Sequence, residues 1–254
     1  MKVETNKHLT KGGFLKSHSL KETDLSVINE LTLEPVGADD IYTFDVVACD
    51  NDIDRDFENF DDEALEQLAA LFPGKTFIKD HRWSADNQFA RAYAAEVQDT
   101  GEKTSDGRDL KCLVVNCYML ATGENEHMIS EIKAGIKKEV SIGFAAKSVI
   151  CSICGADNRK TLCMHYGGKD YEGQTCHFTL SDVSDLYELS FVAVPAQRRA
   201  GTRKDYLSVE WPDEVPVGSP TGEDGGEPPE EMEKQLDERA RALAVAEAYM
   251  EINR

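Results

Sequence analysis

Four of the seven cysteines and two of the six histidines fall within residues 151–177, as Cys151-Ser-Ile-Cys154, Cys163-Met-His165 and Cys176-His177. In a chain whose first twenty residues lack the apolar core of a secretory leader, such a cluster predicts metal binding rather than disulfides. Two cysteines three residues apart, followed by Gly155, present two thiolates to one tetrahedral ion. Cys163 and His165 can complete the set, with Cys176 or His177 able to stand in for His165. The expected ion is zinc. Four protein ligands leave no open position for water, so the expected role is structural: a staple for a small insertion at about 151–177.

Around this insertion the hydropathy pattern alternates with a period of two more often than it repeats with the helical period. Strands are predicted at Ile41–Cys49, Lys75–His81, Phe89–Val97, Leu110–Leu120, Glu139–Ile150 and Leu186–Val194. A helix is predicted after Asp61 or Asp62, with Leu65, Leu68, Ala69 and Phe72 on its buried side. Another is predicted from an N-cap at Thr122 to about Ala134, with Met128, Ile129, Ile132 and Ile136 as its stripe. The expected fold class is therefore α+β, mainly β. A loose arm is expected at 1–22, a folded domain at 23–207, a Pro/Gly-rich acidic linker at 208–230 and a terminal helix at 231–254.

The formal net charge of −20 speaks against a general nucleic-acid binder, because phosphate contacts need clustered Lys and Arg. No run of about eighteen apolar residues is present to span a membrane. The expectation is therefore a cytoplasmic protein that contacts neither nucleic acid nor membrane. The acidic tail either keeps the chain soluble or meets a basic surface on a partner.

Three residues inside the strands could carry chemistry. In Lys138-Glu-Val-Ser-Ile-Gly-Phe144, alternation turns Val140, Ile142 and Phe144 to one face and Ser141 and Gly143 to the other. Gly143 removes bulk beside the hydroxyl, as a close approach of substrate backbone would need. In Leu186-Tyr-Glu-Leu-Ser-Phe-Val-Ala-Val194, Glu188 and Ser190 are the only polar residues apart from Tyr187. A buried carboxylate needs a donor, which for Glu188 is a histidine N–H or an arginine such as Arg91, unless the residue sits at the strand's wet end. His81 ends its strand within the folded core and away from the cysteines.

Taken together, Lys79-Asp-His81 with Phe89-Ala-Arg-Ala92, then Val140-Ser-Ile-Gly-Phe144, then Tyr187-Glu-Leu-Ser190 with Pro195-Ala196 resemble the prohead (capsid maturation) proteases of tailed bacteriophages. The resemblance covers about Leu31 to Ala200 and departs from the family at Ala90, where a glycine is expected. It implies a β-barrel flanked by helices, like herpesvirus assemblin, and a serine endopeptidase with His81, Ser141 and Glu188 as its triad. Ser141 would attack, His81 would move the proton and Glu188 would orient the imidazole. Gln197-Arg-Arg-Ala-Gly-Thr202 resembles the arginine pair of the assemblin oxyanion hole and points to Arg198 or Arg199; a basic surface loop is the competing reading. The implied partners are capsid and scaffold proteins and a second copy of the chain, and the implied place is an assembling procapsid in the host cytoplasm. Two other functions fit the same sequence: an inactive assembly or scaffolding protein with this barrel, and a zinc-module binding protein.

Overall fold

The computed structural model describes residues 21–202. The expected linker at 208–230, the helix at 231–254 and all but the end of the 1–22 arm lie outside the described residues. The elements in chain order are α1 (Glu22–Leu31), β1 (Ile41–Asp50), β2 (Glu58–Phe60), α2 (Asp62–Leu71), β3 (Thr76–Lys79), β4 (Ala90–Lys103) and β5 (Asp109–Leu120). They continue with α3 (Asn125–Lys133), β6 (Val140–Cys151), β7 (Asp170–Tyr171), β8 (Gln174–Thr175), β9 (Phe178–Phe191) and β10 (Gly201–Thr202). The fold is α+β and mainly strand, as the alternating pattern predicts.

Eight strands form one sheet in the order β10-β1-β5-β4-β3-β9-β2, with β6 paired along the other edge of β9. The long strand β9 is its organising element. It pairs in parallel with β2 at one end and β3 at the other, and antiparallel with β6 over nearly its whole length. These ladders leave the sheet open, whereas the family resemblance implies a closed barrel. Between the sheet's two ends lie one isolated bridge, Glu139 with Gly201, and a 3.4 Å hydrogen bond from the Val140 N–H to the Ala200 carbonyl.

The helix after Asp61 forms because that side chain accepts the Ala64 N–H at 2.7 Å and so caps the first turn. Its apolar positions Leu65, Leu68 and Phe72 are fully buried against the sheet, worth roughly 2 kcal/mol each. They join Phe77, Leu113, Leu186 and Leu189 in the main core. The core face of β6 and β9 thus carries Val140, Leu189 and Phe191, and the polar residues of both strands project to the opposite face.

Several boundaries differ from expectation. The helix α3 starts at Asn125, because Thr122 is spent on a turn in which its carbonyl accepts the Asn125 N–H. Ile136, expected on the α3 stripe, is 68 % exposed, because Gly135 takes a left-handed φ of 72° and ends the helix before it. The strand expected at Leu186–Val194 begins at Phe178, since the whole segment leaving the cysteine cluster pairs with β6. The helix α1 lies ahead of the first predicted strand, and β2 lies between that strand and the helix after Asp61, where no element was predicted.

Candidate functional site

The register of three neighbouring strands places the proposed residues on one face. Across β6 and β9, Ser141 is the partner of Ser190 and Gly143 the partner of Glu188. Across β3 and β9, Ile78 is the partner of Ser190 and Thr76 of Glu188. Ser141, Gly143, Glu188 and Ser190 therefore form a square of adjacent positions on the face opposite the core.

His81 reaches this square by leaving β3 abruptly. Asp80 and His81 both adopt left-handed φ, 55° and 50°, which costs on the order of 1 kcal/mol or more per non-glycine residue. The turn is held by its hydrogen bonds. The Asp80 N–H donates to the Phe191 carbonyl at 2.9 Å, and the His81 N–H donates to Ser190 Oγ at 2.9 Å. Asn87 braces the following loop by donating to the carbonyls of Lys79 and Arg82.

The turn brings His81 Nδ1 to 2.6 Å from Glu188 Oε1. A carboxylate oxygen only accepts, so Nδ1 carries the proton and Nε2 is left as the ring's free acceptor. The Glu188 side chain is 3 % exposed and that of His81 is 41 % exposed, so a buried acid anchors a ring that is open to solvent. The Glu188 hydrogen bond raises the His81 pKa above its ordinary value near 6.5; partial burial opposes the rise, and the negative charges of Glu188 and Asp80 add to it. Arg91, the alternative partner for Glu188, instead donates to the Gly74 carbonyl and to Gln88.

Gly143 has a packing role beside Glu188. A Cβ at this position would lie 2.5 Å from Glu188 Oε1, so the missing side chain makes room for the acid. β9 also bulges here, the register slipping between the Gly143–Glu188 and Phe144–Leu186 pairs. The bulge turns Tyr187 to the side of Glu188 while Leu186 stays in the core. Among the described residues the Ser141 hydroxyl makes no hydrogen bond, and His81 bonds Glu188 and Ser190 rather than Ser141. Two residues of this assembly were not singled out as site residues: Ser190, which fixes the His81 backbone, and Thr76 beside Glu188. The position of Ser190 two residues after Glu188 on one strand face was the available signal; Thr76 had none.

The arginines lie elsewhere. Arg199 is held by Asp52 at 3.1 Å and Asp50 at 3.6 Å, at the end of β1. Burial pushes the Asp50 pKa up to about 6, against the pull of the Asp52 N–H and the Arg199 charge. Arg198 is exposed. Neither arginine bonds to His81 or Ser141 among the described residues.

At the far end of the β6–β9 pair, Cys151 closes β6 opposite Phe178. A tight turn follows, with the Gly155 N–H donating to the Cys151 carbonyl at 2.9 Å. The ligand atoms of Cys151, Cys154, Cys163 and His165 lie within 4.8 Å of one another and could hold a metal ion. The donor set is compatible with zinc, whose thiolate ligands stand about 3.8 Å apart when each is about 2.3 Å from a tetrahedral ion. Cys151 Sγ lies 3.7 Å from His165 Nδ1 and 3.9 Å from Cys176 Sγ, so Cys176 stays within reach as an alternate. Burial raises the Cys151 thiol pKa, but the N–H groups of Cys154 and Ile153 outweigh it and bring the thiol below its ordinary value. Burial, and then the neighbouring Cys151, push the Cys176 pKa up to about 11. His177 is tied through its backbone to Ser152 and is not one of the four.

No helix among the described residues is long and apolar enough to cross a membrane. No family model, curated protein or solved structure matches the chain.

Proposed function

We propose that the chain is a serine endopeptidase of the prohead-protease kind, with Ser141 as nucleophile, His81 as general base and Glu188 as the acid that orients it. The observation that carries this is the 2.6 Å contact between His81 Nδ1 and Glu188 Oε1, made beside Ser190, the cross-strand partner of Ser141. A histidine whose Nδ1–H is fixed by a buried carboxylate has its Nε2 lone pair aimed for proton transfer. Ser141 Oγ attacks the scissile carbonyl and passes its proton to Nε2; His81 then gives that proton to the leaving amine. Water repeats the exchange to release the acyl group.

The same reading extends to the architecture and the partners. The Glu139–Gly201 bridge is the seam at which the sheet would close into an assemblin-like barrel. The cysteine centre holds a structural zinc. The substrates are capsid and scaffold chains, cleaved inside an assembling procapsid, together with the enzyme's own segment beyond the folded domain. One incubation tests the reading. Purified full-length chain should convert over time to a shorter form, and Ser141→Ala should stay intact. Equal trimming of both would sink it.

A further inference from the structure

A cleft of about 430 Å³ opens beside the His81–Glu188 pair, with Glu188 and Thr76 in its lining and Trp83 and Tyr187 among its walls. We propose that this cleft is a substrate subsite that takes a bulky apolar side chain, aromatic or long aliphatic, from the peptide being cleaved; the proposal rests on the peptidase reading. Three observations carry it.

The first is the exposed aromatic surface. The Trp83 ring lies 5.5 Å from that of Tyr187, yet Trp83 is 59 % exposed. Leaving so large an apolar surface in water is unfavourable by roughly 25 cal/mol per Å², and a ligand side chain on these rings would recover that cost. The second is the charge. The rim cation Lys75 and the rim anion Asp185 face each other at 3.6 Å and offset one another. The Glu188 side chain is 3 % exposed and bonds His81 through Oε1, so its charge is not presented to a ligand head in the cleft. The third is continuity with the proposed chemistry. Trp83 follows His81 by two residues, and the bulge of β9 that accommodates Glu188 also turns Tyr187 into the cleft.

The test separates binding from catalysis. Trp83 and Trp211 are the only tryptophans, so Ser141→Ala combined with Trp211→Phe leaves Trp83 as a single fluorescent reporter in a chain that cannot turn over substrate. Capped tetrapeptides of alanine with Phe, Leu, Ala, Lys or Glu at one position are titrated against it. The Phe and Leu peptides should give a saturable change in Trp83 emission and bind about tenfold or more tighter than the others. Equilibrium dialysis of the Phe peptide with Trp83→Ala should show that preference lost, and Trp83→Phe should restore most of it. Equal affinities, a preference for Lys or Glu, or no binding by any peptide would overturn the subsite. Separately, hydrolysis of the Phe peptide by the unmodified chain should vanish in Ser141→Ala. If hydrolysis is absent or independent of Ser141 while the binding preference stands, the peptidase reading fails and the subsite survives.

Discussion

Gly143 and Glu188 face each other across β6 and β9, and the Glu188 carboxylate occupies the space where any other residue at 143 would place its Cβ, 2.5 Å from Oε1. The acid that orients His81 is thus positioned by the absence of a side chain on the strand that bears Ser141. One strand supplies both the hydroxyl and the vacancy that its partner acid needs.

Gly143→Ala should therefore disable the site without touching any residue of the triad. The added methyl would push Glu188 off His81 Nδ1, and steady-state hydrolysis should fall by ~10²–10⁴-fold. Overpacking should cost about 1–3 kcal/mol of stability by denaturant titration. Wild-type activity in the folded variant would contradict the arrangement.

The pH dependence has a defined sign. His81 must be neutral to act as base, and Glu188 raises its pKa. The acid limb of kcat/KM should therefore lie above the ordinary histidine value, and Glu188→Gln should move the limb down while lowering the rate. A raised folded-state pKa also stabilises the fold at low pH. The stability difference between the natural chain and His81→Gln should be fully present below the unfolded value near 6.5 and should be lost as pH rises through the folded value. Denaturation at several pH values measures it.

Arg199 is predicted to matter for folding through Asp50 and Asp52. Removing it leaves Asp50, only 2 % exposed, beside Asp52 without a cation. Arg199→Ala should cost about 2–3 kcal/mol near pH 8. Since the Asp50 pKa is already raised, to about 6, and should rise further, the loss should shrink as pH falls and Asp50 takes up a proton. Exposed Arg198 should show no such penalty. Chemical denaturation of both variants at pH 8 and pH 4.5 would separate them.

Removing metal should loosen more than the cysteine loop. Gly168 packs so closely on Phe57 that a Cβ there would lie 2.5 Å from the ring, and the neighbouring Arg55 binds the carbonyls of Pro195 and Ala196. The purified chain should carry one equivalent of zinc, lost in Cys151→Ser. A strong chelator should lower the melting temperature and open residues 151–177 to proteases. A metal-free preparation with an unchanged melting temperature would count against a structural ion.

Much of the site was legible because a strand has a rigid period of two. That period alone separates Ser141 and Gly143 from Val140, Ile142 and Phe144, and solvation chemistry alone demands a donor for Glu188. What stayed hidden depended on register between segments distant in the chain. Nothing local places Thr76 beside Glu188 or Ser190 beside Ser141, because ladder pairing is decided by the packed sheet. The left-handed turn at Asp80 and His81 was equally hidden: both residue types tolerate that conformation, but nothing local in the sequence requires it. Arg199 resembled an oxyanion arginine by its place in the chain, yet two aspartates about 150 residues earlier claim it. The grouping of Cys151, Cys154, Cys163 and His165 was legible, because metal geometry constrains spacing within a short segment.

The most direct measurement is covalent labelling of the intact chain with a fluorophosphonate probe, followed by mass spectrometry of its peptides. The account predicts one adduct, on Ser141, that is abolished in His81→Ala and strongly slowed in Glu188→Gln. An adduct on another serine, or labelling of Ser141 that ignores both substitutions, would contradict it.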